Sequence, residues 1–245
     1  MKSIVIIGSN LIGLLCADIL SKENNVIIIE ADLELGFPAS FPGRAVKQST
    51  ISNILTGQIE DNLFLKSIDD SVNFRSEWFS KLLTHKLAKN NVKIMNRSRI
   101  SSINETSDLL DITIQGSDNN QNNFMCDIVI DFSAASFSNI GGKQHEYNST
   151  SSKIIQPLIT TKEYFVGVCI LKDSNRLQNF ETKNHRNDNL VEIWFESGKQ
   201  QQPKQGWIES KIVNAYSNDK LMLLEDYHLK AVSYTHLTLP TSSQV

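Results

Sequence analysis

The first 32 residues have the pattern of a strand, a helix and a second strand, and this stretch constrains the fold most strongly. Ser3–Ile7 is almost wholly apolar, which is typical of a parallel strand covered on both faces. After two glycines, apolar residues recur at helical spacing up to Leu20. A second apolar run over 26–29 ends just before Glu30. The sequence therefore predicts a βαβ unit.

The link between the first strand and the helix reads Gly8-Ser9-Asn10-Leu11-Ile12-Gly13, close to the glycine fingerprint of dinucleotide-binding proteins. Backbone N–H groups at such a helix start hold a pyrophosphate. Asn10 replaces the middle glycine; Asn tolerates a positive φ, but its side chain stands where the phosphate comes closest. Glu30 lies where an acid accepts ribose hydroxyls, which argues against a 2′-phosphate. The pattern predicts a nucleotide site; the alternative is a phosphate-free βαβ unit with a solvated acid.

Composition narrows the class of protein. The 245 residues include 24 basic and 27 acidic side chains, and no basic tract suggests a nucleic-acid partner or an anionic membrane surface. Cys16, Cys126 and Cys169 lie far apart, which suits a reducing compartment and gives no disulfide frame or metal-ligand spacing. No apolar run reaches membrane-spanning length, and the start is not a signal peptide. We expect a cytoplasmic protein without a transmembrane segment.

The end of the chain has an unusual sequence. Residues 232–241 read Val-Ser-Tyr-Thr-His-Leu-Thr-Leu-Pro-Thr, which is similar to the translation of a transposase adapter used in sequencing libraries. We therefore interpret residues 232–245 as a non-native tail, and expect the native sequence to be cut near Ala231. The alternative is a short polar tail containing one amphipathic strand. The underlying nucleotide sequence decides between the two.

The middle of the chain alternates loops, one helix and several strands. Glycines and prolines mark residues 35–46 as a structured loop, from which Arg44 reaches a phosphate or a substrate acid, or else lies on the surface. Apolar spacing predicts a helix over 75–89, and strands at 92–95, 99–104, 110–115 and 124–131. The small residues 133–136 follow.

The last third predicts an antiparallel sheet with strands at 164–171, 190–196 and 206–213. Trp194, Phe195 and Trp207 are predicted to fill the core, with a pocket lining as the alternative. The histidines show neither metal-ligand spacing nor a triad partner. The sequence therefore predicts no metal site and leaves the catalytic residues unknown.

Taken in order, these motifs resemble FAD-dependent oxidoreductases, and among them most the geranylgeranyl reductase and aromatic-ring hydroxylase group. The resemblance covers nearly all of residues 1–136 and rests on Gly8 to Gly13 with Glu30, Leu35-Gly36-Phe37-Pro38 with Pro42-Gly43, Phe74-Arg75, Arg99-Ile100 and Asp127-Ile128-Val129-Ile130-Asp131.

The resemblance implies FAD as the cofactor, with its pyrophosphate on the first turn, the adenosine ribose on Glu30, the phosphates or adenosine on Arg75 and the adenine on the main chain of Ile100. Asn10 and Ala134 depart from the family by standing in place of glycines. The predicted cofactor-binding residues are Gly8, Ser9, Asn10, Leu11, Ile12, Gly13, Glu30, Ala31, Arg44, Arg75, Ile100, Ser133 and Ala134.

The predicted fold is α/β: an incomplete Rossmann-type FAD-binding domain with a parallel sheet and a β-meander over residues 1–137, then an α+β substrate domain with an antiparallel sheet over 138–231. The family's Gly-Asp motif does not follow Trp207, so we expect a C-terminally truncated, inactive fragment.

The predicted function is that of an FAD-dependent oxidoreductase, of reductase or monooxygenase type, acting on an apolar isoprenoid or aromatic small molecule, with NADPH as a candidate reductant. The alternatives are a flavoprotein-like binding scaffold with a degraded cofactor site, and an NAD-dependent Rossmann enzyme, against which the long meander counts. The oligomeric state is unknown.

Overall fold

The computed structural model describes residues 1–56, 61–116, 121–133, 151–158, 160–218 and 220–238. The helices are α1 (Leu11–Leu20), α2 (Gln48–Ile54), α3 (Ser76–Lys89), α4 (Leu171–Ser174) and α5 (Leu224–Thr238). The strands are β1 (Ser3–Ile7), β2 (Asn25–Ile29), β3 (Arg44–Ala45), β4 (Lys66–Ile68), β5 (Ser71–Asn73), β6 (Lys93–Met95), β7 (Ser98–Glu105), β8 (Leu110–Gly116), β9 (Gln121–Cys126), β10 (Ile128–Asp131), β11 (Ile154–Ile155), β12 (Thr161–Ile170), β13 (Thr182–His185), β14 (Leu190–Glu196), β15 (Glu209–Asn218) and β16 (Lys220–Leu221).

The chain divides into two compact units that alternate along the sequence. The first comprises Met1–Gly36, Thr84–Leu158 and His228–Val245, and the second comprises Phe37–Leu83 and Ile159–Tyr227. The predicted boundary at residue 137 does not describe this division, because residues 37–83 group with the antiparallel sheet. Lys211 pairs there with Glu77, and the N–H of Asn187 donates to the carbonyl of Phe64.

The first unit contains the predicted βαβ arrangement. Its described residues form a parallel sheet of five strands in the order β11-β10-β1-β2-β6. α1 connects β1 to β2, and nearly all of its residues are buried. β1 lies at the centre of this sheet, so its apolar run is explained by burial on both faces.

A meander of β7, β8 and β9 forms a separate antiparallel sheet in the same unit, as predicted. The single strand predicted over 124–131 is wrong, because the chain breaks at Asp127 into β9 and β10. The Asp127 carboxylate accepts from the N–H of Ser3 at 2.7 Å, and its own N–H donates to the carbonyl of Ser3 at 2.9 Å. Asp127 thus marks the point where the chain leaves the meander and enters the parallel sheet.

The second unit is built on an antiparallel sheet in the order β13-β14-β12-β15-β16. β14 has the predicted bounds, whereas β15 starts at Glu209 instead of residue 206, because Gly206 has a φ of +81° and ends the preceding turn. Trp194 and Phe195 are fully buried on opposite faces of β14, which confirms them as core residues. The Trp207 ring lies against Gly167, where an added Cβ would come within 2.4 Å of it.

Residues 232–238, the described part of the C-terminal segment, are helical, so the alternative of an amphipathic strand is wrong for them. α5 continues past Ala231, and the Tyr234 ring lies 6.0 Å from the ring of Phe132 in a T-shaped contact. The adapter interpretation of residues 232–245 remains a prediction for the nucleotide sequence to test.

In the described part of the chain, no helix has the length and apolar character needed to cross a bilayer.

Candidate functional site

Gly8 makes the turn that leads from β1 into α1. Its φ is +85°, a conformation that side chains with a Cβ rarely adopt. Its N–H donates to the carbonyl of Ile29 at 2.9 Å, and an added Cβ would lie 3.2 Å from the carbonyl carbon of Phe132. The first glycine of the fingerprint is therefore required by the geometry of the turn.

Gly13 allows α1 to pack directly on this turn. A Cβ at Gly13 would lie 2.6 Å from the carbonyl oxygen of Gly8, closer than real Cβ contacts come. Because this oxygen belongs to the main chain, it cannot move away by a change of side-chain rotamer. Gly13 thus fulfils the close-packing role of the third glycine of the fingerprint.

Asn10 acts as the N-cap of α1. Its φ is −59°, so the positive φ considered for this position is not used. The side-chain Oδ1 accepts from the N–H of Gly13 at 3.0 Å, and the carbonyl of Asn10 accepts from Leu14 at 3.0 Å. The first N–H groups of a helix have no acceptor within the helix, and Asn10 satisfies that of Gly13. Leu11 and Ile12 are the other residues of this first turn whose N–H groups have no acceptor within the helix.

Glu30 faces this turn from the end of β2. The residue is only 3% exposed, and its Oε2 accepts from the N–H of Ser9 at 2.8 Å and from the Ser9 hydroxyl at 2.7 Å. Its Oε1 accepts from the N–H of Asp32 at 3.0 Å. The acid is therefore held across from the start of α1, and the solvated acid of the alternative interpretation is not found.

Ser133 lies beside the turn at the end of β10. The N–H of Phe132 donates to the carbonyl of Ile7 at 2.8 Å, and the N–H of Ser133 donates to the Asp131 carboxylate at 2.7 Å. The sequence analysis missed this role of Asp131. An Asp side chain that accepts a hydrogen bond from the main-chain N–H two residues later is nevertheless common in turns. The predicted site residue Ala134 lies outside the described residues.

Ala31 and Ile100 lie close to Glu30 in the fold. Ala31 follows Glu30 directly and is half-buried. Ile100 is buried on β7 in a cluster that includes Ile7 and Ile29. β7 is tied to the acid through the N–H of Ser98, which donates to the Glu30 carbonyl at 2.9 Å. The structure thus brings both residues to the region of the first turn.

Arg44 and Arg75 belong to the second unit and contact groups of that unit. Arg44 Nη1 lies 3.5 Å from the Thr182 hydroxyl, and Arg75 forms long ion pairs of 3.9 and 3.8 Å with Glu77 and Glu209. Their contact with a cofactor stays a prediction.

A second polar cluster is buried on one face of the antiparallel sheet. Glu192 is only 2% exposed, and its Oε1 accepts from Trp194 Nε1 at 2.7 Å and from Asn184 Nδ2 at 3.3 Å. Burial raises the pKa of Glu192, and the Glu77 carboxylate raises it further, against the charge of Lys211. Burial would also raise the pKa of Glu77, but its ion pair with Lys211 holds that pKa below the usual range. The two carboxyls therefore have opposite pKa shifts.

Metal binding has no support in the described part of the chain, where no group of three or more His, Cys, Asp or Glu side chains is arranged to hold an ion.

The first turn fits the ADP half of a dinucleotide. A pyrophosphate needs a glycine turn that leads into a helix start, and Gly8 in the turn with Gly13 packed against it meets this condition. A ribose needs a fixed acceptor opposite that turn, and Glu30 provides it. Asn10 is the residue that fits least, because its side chain takes one of the N–H groups.

No family model matches this sequence, and no curated protein does. Solved structures share the fold. The p-nitrophenol 4-monooxygenase from Pseudomonas putida aligns over 97% of this chain and 80% of its own, with a TM-score of 0.62 and 12% identity. CmlS, a flavin-dependent halogenase, aligns over 96% of this chain and 57% of its own, with a TM-score of 0.56 and 16% identity.

A flavoprotein/dehydrogenase from Cytophaga hutchinsonii aligns over 88% of this chain and 67% of its own, with a TM-score of 0.52 and 12% identity. The chain thus spans between just over half and four fifths of the length of these proteins. At such identities the likeness shows the fold. The predicted FAD-binding Rossmann-type fold, and the resemblance to hydroxylase-type flavoenzymes at the level of fold, are confirmed.

Proposed function

We propose that this chain binds the ADP half of FAD on its first unit and belongs to an FAD-dependent oxidoreductase. The observation that carries the proposal is the placement of Glu30, whose carboxylate is held by Ser9 and Asp32 across from the start of α1. The solved structures with this fold support it, since their names include a monooxygenase and a flavin-dependent halogenase.

The residues of the chain have distinct tasks in this proposal. The turn at Gly8 and the first turn of α1 bind the pyrophosphate through main-chain N–H groups, and Glu30 accepts a hydroxyl of the adenosine ribose. When bound, the flavin supplies hydride transfer or oxygen activation. The polar cluster at Glu192 and the aromatic residues around it form part of the core of the second unit.

The substrate class in this proposal is an apolar small molecule, with an aromatic compound favoured over an isoprenoid because the named neighbours include p-nitrophenol 4-monooxygenase. NADPH is the candidate reductant. A cytoplasmic location suits the three buried free thiols Cys16, Cys126 and Cys169.

The test is to express the chain and to record the absorbance of the purified protein. The proposal expects a yellow protein with a flavin spectrum, or uptake of added FAD by a colourless one. A well-folded product that ignores FAD would contradict it.

A second candidate is a flavoprotein-like scaffold that has lost its cofactor. The observation that favours it is the bond from the Gly13 N–H to Asn10, which removes one donor from the anion site. The absorbance test separates the two candidates.

A further inference from the structure

The Ser9 hydroxyl links three segments of the first unit. It donates to Glu30 Oε2 at 2.7 Å and accepts from the N–H of Gly36 at 3.0 Å. A hydroxyl carries one proton and two acceptor lone pairs. Because the amide of Gly36 can only donate and the Glu30 carboxylate only accepts, the proton of Ser9 is committed to Glu30. Ser9 is 3% exposed, so water does not compete for this bond.

The acceptor capacity of Glu30 is nearly used. A carboxylate accepts about four hydrogen bonds, two on each oxygen. The N–H and the hydroxyl of Ser9 use both directions on Oε2, and the N–H of Asp32 uses one direction on Oε1. Within the described residues, one acceptor direction on Oε1 is left.

We infer that Ser9 is a positioning residue, which fixes the Glu30 carboxylate so that Oε1 receives a single hydroxyl of the adenosine ribose. The inference rests on the proposed function, since it concerns the same site. It goes further in two ways. It assigns the recognition of the ribose to Oε1 of Glu30, and it makes this recognition depend on Ser9, whose side chain does not itself contact the sugar.

Selectivity among nucleotides follows from this arrangement. A site built to accept a substrate hydroxyl rejects an analogue that lacks it, because the acceptor is then left buried without a donor. One of the two ribose hydroxyls is therefore required, and loss of the other is tolerated. Removing the required hydroxyl should weaken binding by about tenfold or more, the range of a hydrogen bond to a charged group.

Ser9→Ala is the variant that isolates the hydroxyl. The main-chain N–H of residue 9 remains, but Oε2 gains a free acceptor direction and the carboxylate loses one of its three hydrogen bonds. Either oxygen can then receive a hydroxyl, so the variant should bind ADP less tightly and discriminate by less than about threefold. Ser9→Thr keeps a hydroxyl and should restore the discrimination.

The experiment is calorimetric titration of the 245-residue chain with ADP, 2′-deoxy-ADP and 3′-deoxy-ADP. The variants are Ser9→Ala, Ser9→Thr, Glu30→Gln and the double variant Ser9→Ala with Glu30→Gln. Ser21→Ala is the matched control, because it removes a hydroxyl that bonds to the Asp18 carbonyl at 3.3 Å at the other end of α1. Circular dichroism shows that each variant is folded.

We expect Ser9→Ala to lose the discrimination between ADP and its deoxy analogues, and Ser21→Ala to keep it. In the Glu30→Gln background, Ser9→Ala should have little further effect on this discrimination. Full discrimination in Ser9→Ala, or an equal effect in both backgrounds, would overturn the role of Ser9 while leaving the proposed function intact. A folded wild-type chain that binds none of the three nucleotides would contradict the proposed function and, with it, this inference.

Discussion

Asn10 Oδ1 accepts a hydrogen bond from the N–H of Gly13 at 3.0 Å, so the side chain in place of the fingerprint's middle glycine caps the helix that follows. The Asn10 side chain and a bound phosphate would both accept hydrogen bonds from the main-chain N–H groups at the start of α1. A residue that stabilises α1 at its start therefore competes with a bound phosphate, and the two effects can be separated by substitution.

Asn10→Gly should tighten dinucleotide binding, because it removes side-chain atoms from the phosphate path and releases the N–H of Gly13. Stability should fall by only a few tenths of a kcal/mol, since Gly is itself an acceptable N-cap. Asn10→Ala is the comparison, with a cost of about 1 kcal/mol. Urea unfolding and ADP titration give the two quantities; unchanged or weaker ADP affinity in Asn10→Gly would show that Asn10 is already compatible with the phosphate.

Gly13→Ala should destabilise the protein although Ala is the better helix former. Helix propensity alone favours Ala by about 1 kcal/mol. The new Cβ, however, would lie 2.6 Å from the main-chain oxygen of Gly8, and overpacking of this kind costs about 1–3 kcal/mol. Urea unfolding measures the net effect, with Asn53→Ala at an exposed position of α2 as the control for propensity. A gain in stability for Gly13→Ala would refute the packing argument.

Asp18 and Lys86 form a buried ion pair between α1 and α3, with a shortest distance of 2.7 Å. Removing one partner leaves a buried charge, so Asp18→Asn or Lys86→Met should each cost about 3 kcal/mol or more. The double change Asp18→Asn with Lys86→Met should cost far less than the sum of the two single changes, because no buried charge is left without its partner. Lys89→Met, at an exposed position of the same helix, serves as the control. Additive losses in the double variant would show that the pair does not act as a unit.

Glu192 should make the stability fall as the pH rises. Its pKa in the folded protein is raised above the usual value of 4.5, by burial first and then by Glu77, so the folded state binds the proton more tightly than the unfolded chain does. The stabilisation is complete below the unfolded pKa and is lost as the pH rises towards the folded pKa. Lys211 and Arg186 oppose the shift.

Glu192→Gln keeps an acceptor for Trp194 Nε1 and removes the titration. Relative to that of the wild type, the free energy of unfolding of this variant should increase as the pH rises above 4.5, the usual pKa of Glu. Urea titrations across this range measure it, and Glu163→Gln, an exposed acid on β12, is the control. A constant difference between variant and wild type would mean that Glu192 does not titrate in this range.

Local periodicity predicted the elements well, because each pattern depends on burial of its own residues. β1, α1 and β14 follow directly from apolar spacing. The break at Asp127 could not be predicted in this way, since residues 124–131 read as one largely apolar run although they belong to β9 and β10, which pair in different sheets. Sheet membership depends on partners distant in the sequence, such as Ser3 for Asp127.

The candidate site also has features that the sequence predicted and features that it did not. The places of Gly8 and Gly13 in the turn, and of Glu30 opposite it, could be predicted because fingerprint spacing reflects main-chain geometry that any such turn requires. The capping bond of Asn10 was missed, although Asn directly before a helix is a preferred N-cap and was a signal in the sequence.

The affinity of the chain for FAD, measured by calorimetry for the wild type, Glu30→Gln and the exposed control Glu34→Gln, tests the central claim most directly. Our account predicts that the wild type binds FAD, that Glu30→Gln weakens binding by about tenfold or more, and that Glu34→Gln leaves it unchanged. A folded wild type that does not bind FAD, or a Glu30→Gln variant that binds it as well as the wild type, would contradict the account.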